Sequence, residues 1–397
     1  MYDVIKKVID SVDEKGVVRL LREMIRISSV SMNEGALAEL LAKAVERCGV
    51  PVEVVGGNVV GKVLTAKDAP TLILNGHMDT VPVGDRDAWS VDPFGAELIE
   101  GRIYGRGAAD MKAGLASMIM ALDALNRAGI EVPGNLVLTG VVMEEVAAKL
   151  SQRRGIIELI DKKIIRGDAA IVGEPTSLDV SLGHRGRAVF EVITHGQSAH
   201  ASMPKRGVNA IEKMADVIRS LRKLKMGDNE LLGRGTSNIG VINGGTKPNV
   251  VPDSCIIKID RRLTFGETAK TVEQDLRTAI QELEGKDASF PTDVKCPYQI
   301  SPTLTLASEP VVRAVSTAIE TVTNREPSIG VSTFHSDGGF INHLAKVPVV
   351  LFGPGNETMA HTADEYVNVE QVIDATKIYA SSIIEFYRIQ GETHKKC

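Results

Sequence analysis

The sequence predicts an α/β protein with a mostly parallel central sheet, interrupted by an inserted domain of ferredoxin-like β-α-β-β-α-β order. Three observations predict it. Apolar runs at 72–74, 136–142 and 169–172 are short and bounded by glycine or polar residues, the signature of buried strands. Stretches between them repeat apolar side chains every three or four residues, and strands alternating with such helices argue a parallel sheet. From about Ser181 the texture changes to amphipathic helices set among further strands, the pattern of a split βαβ unit.

Residues 4–27 carry Val4, Ile5, Val8 and Ile9, then Val17, Val18, Leu21, Met24 and Ile25, at helical spacing, until Ser28 and Ser29 break the pattern. A second amphipathic helix spans 34–48, with Leu37, Leu40, Leu41 and Val45 on one face. Strands at 52–55 and 59–64 flank the turn Gly56, Gly57, Asn58. The strand starting at Thr71 ends in Asn75-Gly76, and His77 and Asp79 follow at once. Residues 81–107 read as one long irregular segment, a length usually reserved for functional loops. A helix over 111–128 follows, with Asp110 at its N-cap. Strand 136–142, helix 154–163 and strand 169–172 continue the alternation. The inserted domain reads as strand 188–194, helix 208–224, strands 237–242 and 255–260, and helix 268–283. Helix 310–323, strand 347–352 and helix 369–387 complete the first domain, so the expected partition is 1–180 with 291–397, and 181–290.

Composition narrows the function classes. Lys plus Arg number 46 against 51 Asp plus Glu, a formal charge of −5 that gives no electrostatic case for nucleic acid or an anionic membrane. No apolar run approaches membrane-spanning length, and the first 15 residues have no signal-peptide core. Cys48, Cys255, Cys296 and Cys397 form no CxxC pair, so free thiols in a reducing, cytoplasmic setting are expected.

Three strands each deliver a metal-capable side chain at their carboxyl end, where open α/β sheets build their sites: His77, the pair Glu144-Glu145, and Glu174. Asp110 and His361 complete a candidate set. Each alone has a plainer reading, as a packed histidine, a helix cap or a turn acid; the joint pattern carries the argument. Nitrogen and oxygen donors without thiolate suit zinc, cobalt or manganese. Five such donors suit two divalent ions sharing a carboxylate, roughly 3.5–4 Å apart. Neighbours in an extended segment point to opposite sides, so one of Glu144 and Glu145 can bind metal while the other stays free as a general base. A carboxylate at Asp79 can fix the His77 tautomer.

The segments Gly76-His77-Met78-Asp79-Thr80-Val81-Pro82, Gly105-Arg106-Gly107 through Asp110-Met111-Lys112-Ala113-Gly114, Glu144-Glu145, Gly173-Glu174-Pro175-Thr176 and Ala360-His361-Thr362 resemble, in order, the motifs of the M20 metallopeptidase family, over nearly the whole chain. The resemblance implies a zinc-peptidase-like catalytic domain carrying an inserted dimerisation domain, hence a homodimer. It implies that His77 and Glu174 hold one metal, Glu145 and His361 the other, and that Asp110 bridges them. Glu144 would take a proton from a metal-bridged water and return it to the leaving amine, and Asp79 would orient His77. Gly196-Gln197-Ser198-Ala199-His200 resembles the family motif whose histidine reaches the partner subunit's site and donates to the oxyanion. Asn249 resembles the family's substrate-side asparagine. Arg262 resembles its carboxylate-binding arginine, with Arg261 adjacent and not excluded; a guanidinium grips a carboxylate through two bonds, which lysine cannot do. The segment 146–154 lacks the family's glycine-rich continuation. Aminopeptidase branches tend to carry aspartate where this chain has Glu174, which disfavours an aminotripeptidase.

The expected function is a metal-dependent amidohydrolase cleaving an N-acyl amino acid, as acetylornithine deacetylases and succinyl-diaminopimelate desuccinylases do. The alternatives are a dipeptidase or metallocarboxypeptidase acting on a short peptide and, remotely, a metal-binding protein without catalysis.

Overall fold

The structure, a computed structural model, describes residues 2–145, 155–285 and 291–394. The segment 146–154, the residues 286–290 around the expected domain border, and Cys397 lie outside the described residues. The chain forms two compact units, one from residues 1–184, 303–332 and 336–397, the other from 185–302 and 333–335.

The first unit begins with helices α1 (Tyr2–Asp10), α2 (Glu14–Arg26) and α3 (Gly35–Arg47) and strands β1 (Val52–Val55), β2 (Asn58–Val63) and β3 (Thr71–His77). Next come strands β4 (Glu97–Ile99) and β5 (Arg102–Tyr104), helix α4 (Ala113–Arg127), β6 (Asn135–Val141), α5 (Gly155–Asp161), β7 (Ala169–Val172) and β8 (Val180–His184). The second unit contributes β9 (Gly186–His195), α6 (Ala210–Leu221), β10 (Thr236–Gly244), β11 (Ser254–Leu263), α7 (Ala269–Glu284) and β12 (Asp293–Ile300). The first unit ends with β13 (Thr303–Leu304), α8 (Pro310–Thr323), β14 (Ile329–Ser332), α9 (Gly338–Leu344), β15 (Val349–Leu351), β16 (Tyr366–Asn368) and α10 (Val369–His394).

The first unit's main sheet runs β1-β2-β6-β3-β7-β15-β8-β13, with β14 also on β8. Its centre, β6, β3, β7 and β15, is parallel. Leu72, Ile73 and Leu74 are fully buried, so β3 is covered on both faces and its apolar run is continuous rather than alternating. Register aligns His77 with Val141 and Asn75 with Val172, so β3, β6 and β7 end along one edge. Every loop carrying a candidate ligand from a strand leaves from that edge.

Several expectations change. The helical pattern over 4–27 is two helices, because Asp13 caps α2 by accepting the Gly16 N–H at 2.9 Å. The helix expected from 111 begins at Ala113, with Lys112 at its N-cap. Residues 108–112 form a wide turn containing a cis Asp110–Met111 bond, and Asp110 is not the cap of α4: its side chain turns toward His77. The segment 81–107 is not wholly irregular; β4 and β5 pair within it, and β16 pairs with β5.

The second unit's sheet runs β10-β11-β9-β12, with every pair antiparallel, beside α6 and α7. This is the ferredoxin-like arrangement expected, but its fourth strand is β12, which the sequence reading assigned to the first domain. Pairing with β9 draws 293–300 into this unit and moves the later boundary from 290 to 302. The earlier boundary moves from 180 to 184, because β8 pairs with β13, β14 and β15. Among the described residues no helix is long and apolar enough to cross a membrane.

Candidate metal centre

Five side chains were expected to share a site, and all five belong to the first unit. His77 Nε2 lies 3.0 Å from Asp110 Oδ1. His361 Nε2 lies 3.4 Å from the other oxygen, Asp110 Oδ2, and 2.6 Å from Glu145 Oε1. Donor atoms of His77, Asp110 and Glu145 fall within 4.8 Å of one another. Asp110 thus turns one oxygen to each imidazole. Glu174 is buried and feels the charges of His77 and Asp110. Its approach depends on two glycines: a Cβ on Gly114 would sit 2.1 Å from the Gly173 carbonyl oxygen, so only glycine lets the start of α4 meet the end of β7.

Electrostatics show what the cluster can hold. Burial pushes the Glu174 carboxyl well above its usual range, and the neighbouring Asp110 charge adds to the rise. Burial, then Asp110, pushes Glu145 up to about 7. Burial also acts to raise Asp110, but hydrogen bonds from His361 and His77 outweigh it and hold this carboxyl below the ordinary range. His77 would lose its charge through burial, yet Asp110 holds it well above the usual imidazole value; bonds to Asp110 and Glu145 lift His361 to about 10. Carboxylates crowded in a buried space stay ionised only beside added positive charge. A bound cation would supply it, bringing Glu145 and Glu174 back down, keeping Asp110 ionised and favouring neutral imidazoles at His77 and His361. The donor set therefore fits divalent metal, and Asp110, open on both sides, fits a shared ligand.

Asp79 departs from its expected task. Its backbone carbonyl, not its carboxylate, takes the His77 Nδ1 proton, at 2.9 Å; the nearest carboxylate oxygen is 3.7 Å away. The fully buried carboxylate accepts the Glu144 N–H on Oδ1 and the Glu145 N–H on Oδ2, both at 2.9 Å, and the Ser31 hydroxyl at 2.6 Å. It anchors the Glu144-Glu145 turn. Glu34 adds to this by accepting the Met143 N–H at 3.0 Å. Sequence reasoning missed Ser31 and Glu34, which lie in a helix connection with no motif of their own. It also missed Glu365, four residues beyond His361.

The other expected residues lie in the second unit. His200 is exposed, its Nδ1 is 2.8 Å from the Ser202 hydroxyl, and its backbone bridges to Val250. Asn249 is brought beside it, its carbonyl accepting the Ala201 N–H at 3.1 Å. Arg262 is half-buried on β11, donating from Nε to Asp260 at 2.9 Å. Arg261 is buried and engaged with Glu267 and the Met226 sulfur.

The model of peptidase family M20/M25/M40 matches residues 73–385. YgeY, an uncharacterised protein of Escherichia coli (strain K12), is 31% identical over 383 residues, spanning 92% of this chain and 93% of its own. A succinyl-diaminopimelate desuccinylase of Methylorubrum extorquens (strain PA1) is 30% identical over 394 residues, spanning 93% and 98%. The crystal structure of aminopeptidase PepT from Bacillus cereus ATCC 10987 superposes with a TM-score of 0.78 at 25% identity, covering 95% of this chain and 99% of that one.

Proposed function

This chain belongs to peptidase family M20/M25/M40 and is a metal-dependent amidohydrolase of that family, and we propose that it cleaves the amide of an N-acyl amino acid using two divalent ions, zinc foremost, with cobalt or manganese as substitutes. The observation that carries the reading is Asp110, whose two carboxylate oxygens face His77 and His361 separately. His77 and Glu174 would hold one ion, Glu145 and His361 the other, and Asp110 both. When bound, the ions supply a polarised scissile carbonyl and a water acidic enough to attack near neutral pH.

The chain's own residues do the rest. Glu144 is buried and close enough to Glu145 and Glu174 to push both upward in pKa. It takes the proton of the attacking water and returns it to the leaving amine. Asp79 holds the turn that carries Glu144. Arg262 clamps the substrate carboxylate; Arg261 is committed to Glu267, which supports the choice between the two. His200 donates to the developing oxyanion and Asn249 contacts the substrate.

Strand register supports a homodimer. Arg262 lies opposite Arg187, whereas Ser254, eight residues away, lies opposite His195, whose strand leads on to His200. At about 3.4 Å per residue the arginine and the sheet end from which the chain runs on to His200 are roughly 27 Å apart. That span argues against one copy of this unit placing all three on one small substrate. A dimer can, with His200 and Asn249 serving the partner's site. The free thiols Cys48, Cys255 and Cys296 suit a reducing, cytoplasmic location.

A second reading keeps the same family and metals but takes short peptides as substrate, as a dipeptidase or metallocarboxypeptidase would; the likeness to an aminopeptidase supports only that a peptide substrate is within reach of this fold. Zinc- or cobalt-loaded protein assayed on acetyl- and succinyl-amino acids beside a dipeptide panel decides between them. The proposal expects higher kcat/KM on the acyl amino acids; turnover of dipeptides alone overturns it. Glu144→Ala should abolish turnover with metal content intact, and surviving activity refutes its role as base.

A further inference from the structure

Glu365 collects four donors in the first unit. Arg106 Nη1 lies 2.6 Å from Oε2, which also accepts the Gly107 N–H at 3.1 Å. The Ala109 N–H at 2.9 Å and the Asp110 N–H at 3.1 Å both point to Oε1. The carboxylate is almost fully buried, as is Arg106. Three consecutive-turn amides and one guanidinium converging on one buried anion make a rigid knot, since each bond to a charged acceptor is roughly twice as strong as a neutral one. The knot joins two segments: the turn that aims Asp110, and the loop that carries His361 four residues earlier. The Gly105 N–H reinforces it by donating to the Glu365 carbonyl at 2.8 Å. Neighbouring Asp364 ties a third segment, accepting the Ser90 N–H and hydroxyl, each at 2.8 Å. Between them, Trp89 stacks on the Arg106 guanidinium, 5.1 Å from its ring centre.

We propose that Glu365 is a positioning residue of the metal centre, fixing the Asp110 carboxylate relative to His361 so that both ions can share it. This rests on the metal reading of the five donors but not on any choice of substrate. It also accounts for the orientation of Asp110: with its own N–H and that of Ala109 fixed to Glu365, the side chain is left to face the two histidines. Partners of metal ligands typically change affinity by about 10–100-fold when altered.

The test is Co²⁺ titration of metal-free full-length protein, followed by visible absorption, for the parent, Glu365→Gln and Glu365→Asp. Glu365→Gln keeps the volume but opposes an amide NH2 to backbone donors; Co²⁺ binding should weaken at least 10-fold, and Glu365→Asp should recover part of the loss. Emission from Trp89, the chain's single tryptophan, should change in Glu365→Gln as Arg106 is released. A Glu365→Gln protein with parental Co²⁺ affinity overturns the proposal, even if its melting temperature falls, because a merely structural role lowers stability without touching affinity. Should Glu365→Gln fail to fold, Arg106→Gln, which leaves the three amide bonds in place, carries the same readout: weakened Co²⁺ binding supports the proposal and unchanged binding overturns it. Weakened binding in a protein without turnover on any amide defeats the functional reading alone. A parent that binds no Co²⁺ defeats both.

Discussion

Replacing Asp79 by asparagine should cripple the Glu145–His361 half of the metal centre while sparing the His77–Glu174 half. The carboxylate accepts one N–H on Oδ1 and an N–H plus a hydroxyl on Oδ2. Asparagine offers one oxygen. If it replaces Oδ2, the Glu145 amide and Ser31 keep a partner while the Glu144 N–H meets an NH2 group. One bond to a charged acceptor is then lost, about 1.5–3 kcal/mol, and the surviving two are weakened by the loss of charge. A total near 2–4 kcal/mol is within the roughly 5–15 kcal/mol stability of a folded domain, so the variant should fold. Denaturant unfolding of metal-free protein measures that cost, and competitive chelator titration measures each ion's affinity. The expected result is one ion bound about 10–100-fold more weakly, the other nearly unchanged, and kcat down by at least about 100-fold from displacement of Glu144. If the carboxylate instead served to orient His77, the His77 side would weaken. That outcome, or a variant as stable as the parent with both affinities unchanged, refutes the anchoring role.

Further perturbations probe other parts of the account. Gly114→Ala places a Cβ 2.1 Å from the Gly173 oxygen and must push α4 off the end of β7, costing about 1–3 kcal/mol and weakening the ion held by Glu174; unchanged thermal unfolding and metal content would contradict this. Arg262→Ala should raise KM, with kcat/KM down about 10–100-fold, whereas Arg261→Ala should chiefly lower stability by stranding Glu267; the reverse pattern would exchange their assignments. Burial, with a smaller contribution from Asp123, pushes the Cys48 thiol up to about 12. Between its ordinary value and that one, the unfolded chain binds fewer protons than the native protein, so Cys48 contributes stability that is complete below pH about 9 and lost as the pH rises toward 12. A Cys48→Ala protein should therefore lose stability less steeply than the parent between pH about 9 and 11, and parallel denaturation curves would refute this.

The strands that build the centre were legible because a doubly covered strand is predominantly apolar, and 72–74, 136–142 and 169–172 have few other solutions. His77, Glu145 and Glu174 stood out as candidates because each follows such a run. Asp110 was harder. Followed by a helical stripe, its type and place suit an N-cap, and nothing local reveals that Glu365 captures its backbone and frees its side chain. The role of Asp79 was misread for a related reason: the local rule pairs His77 with the acid two residues on, but tertiary packing brings the Glu144 and Glu145 amides to that carboxylate, while the nearer backbone carbonyl serves the imidazole. Strand β12 was assigned to the wrong unit because its partner, β9, lies about a hundred residues earlier in sequence. Pairing over that distance leaves no local mark. Substrate choice depends on pocket shape, which no motif in the chain encodes.

Metal stoichiometry tests the central claim most directly. Zinc bound per chain after exhaustive dialysis should be two for the parent, one for His361→Ala, and none or nearly none for Asp110→Ala, which deprives both ions of a ligand at once. An Asp110→Ala protein that keeps both ions, or a parent fully active after complete removal of divalent metal, would contradict it.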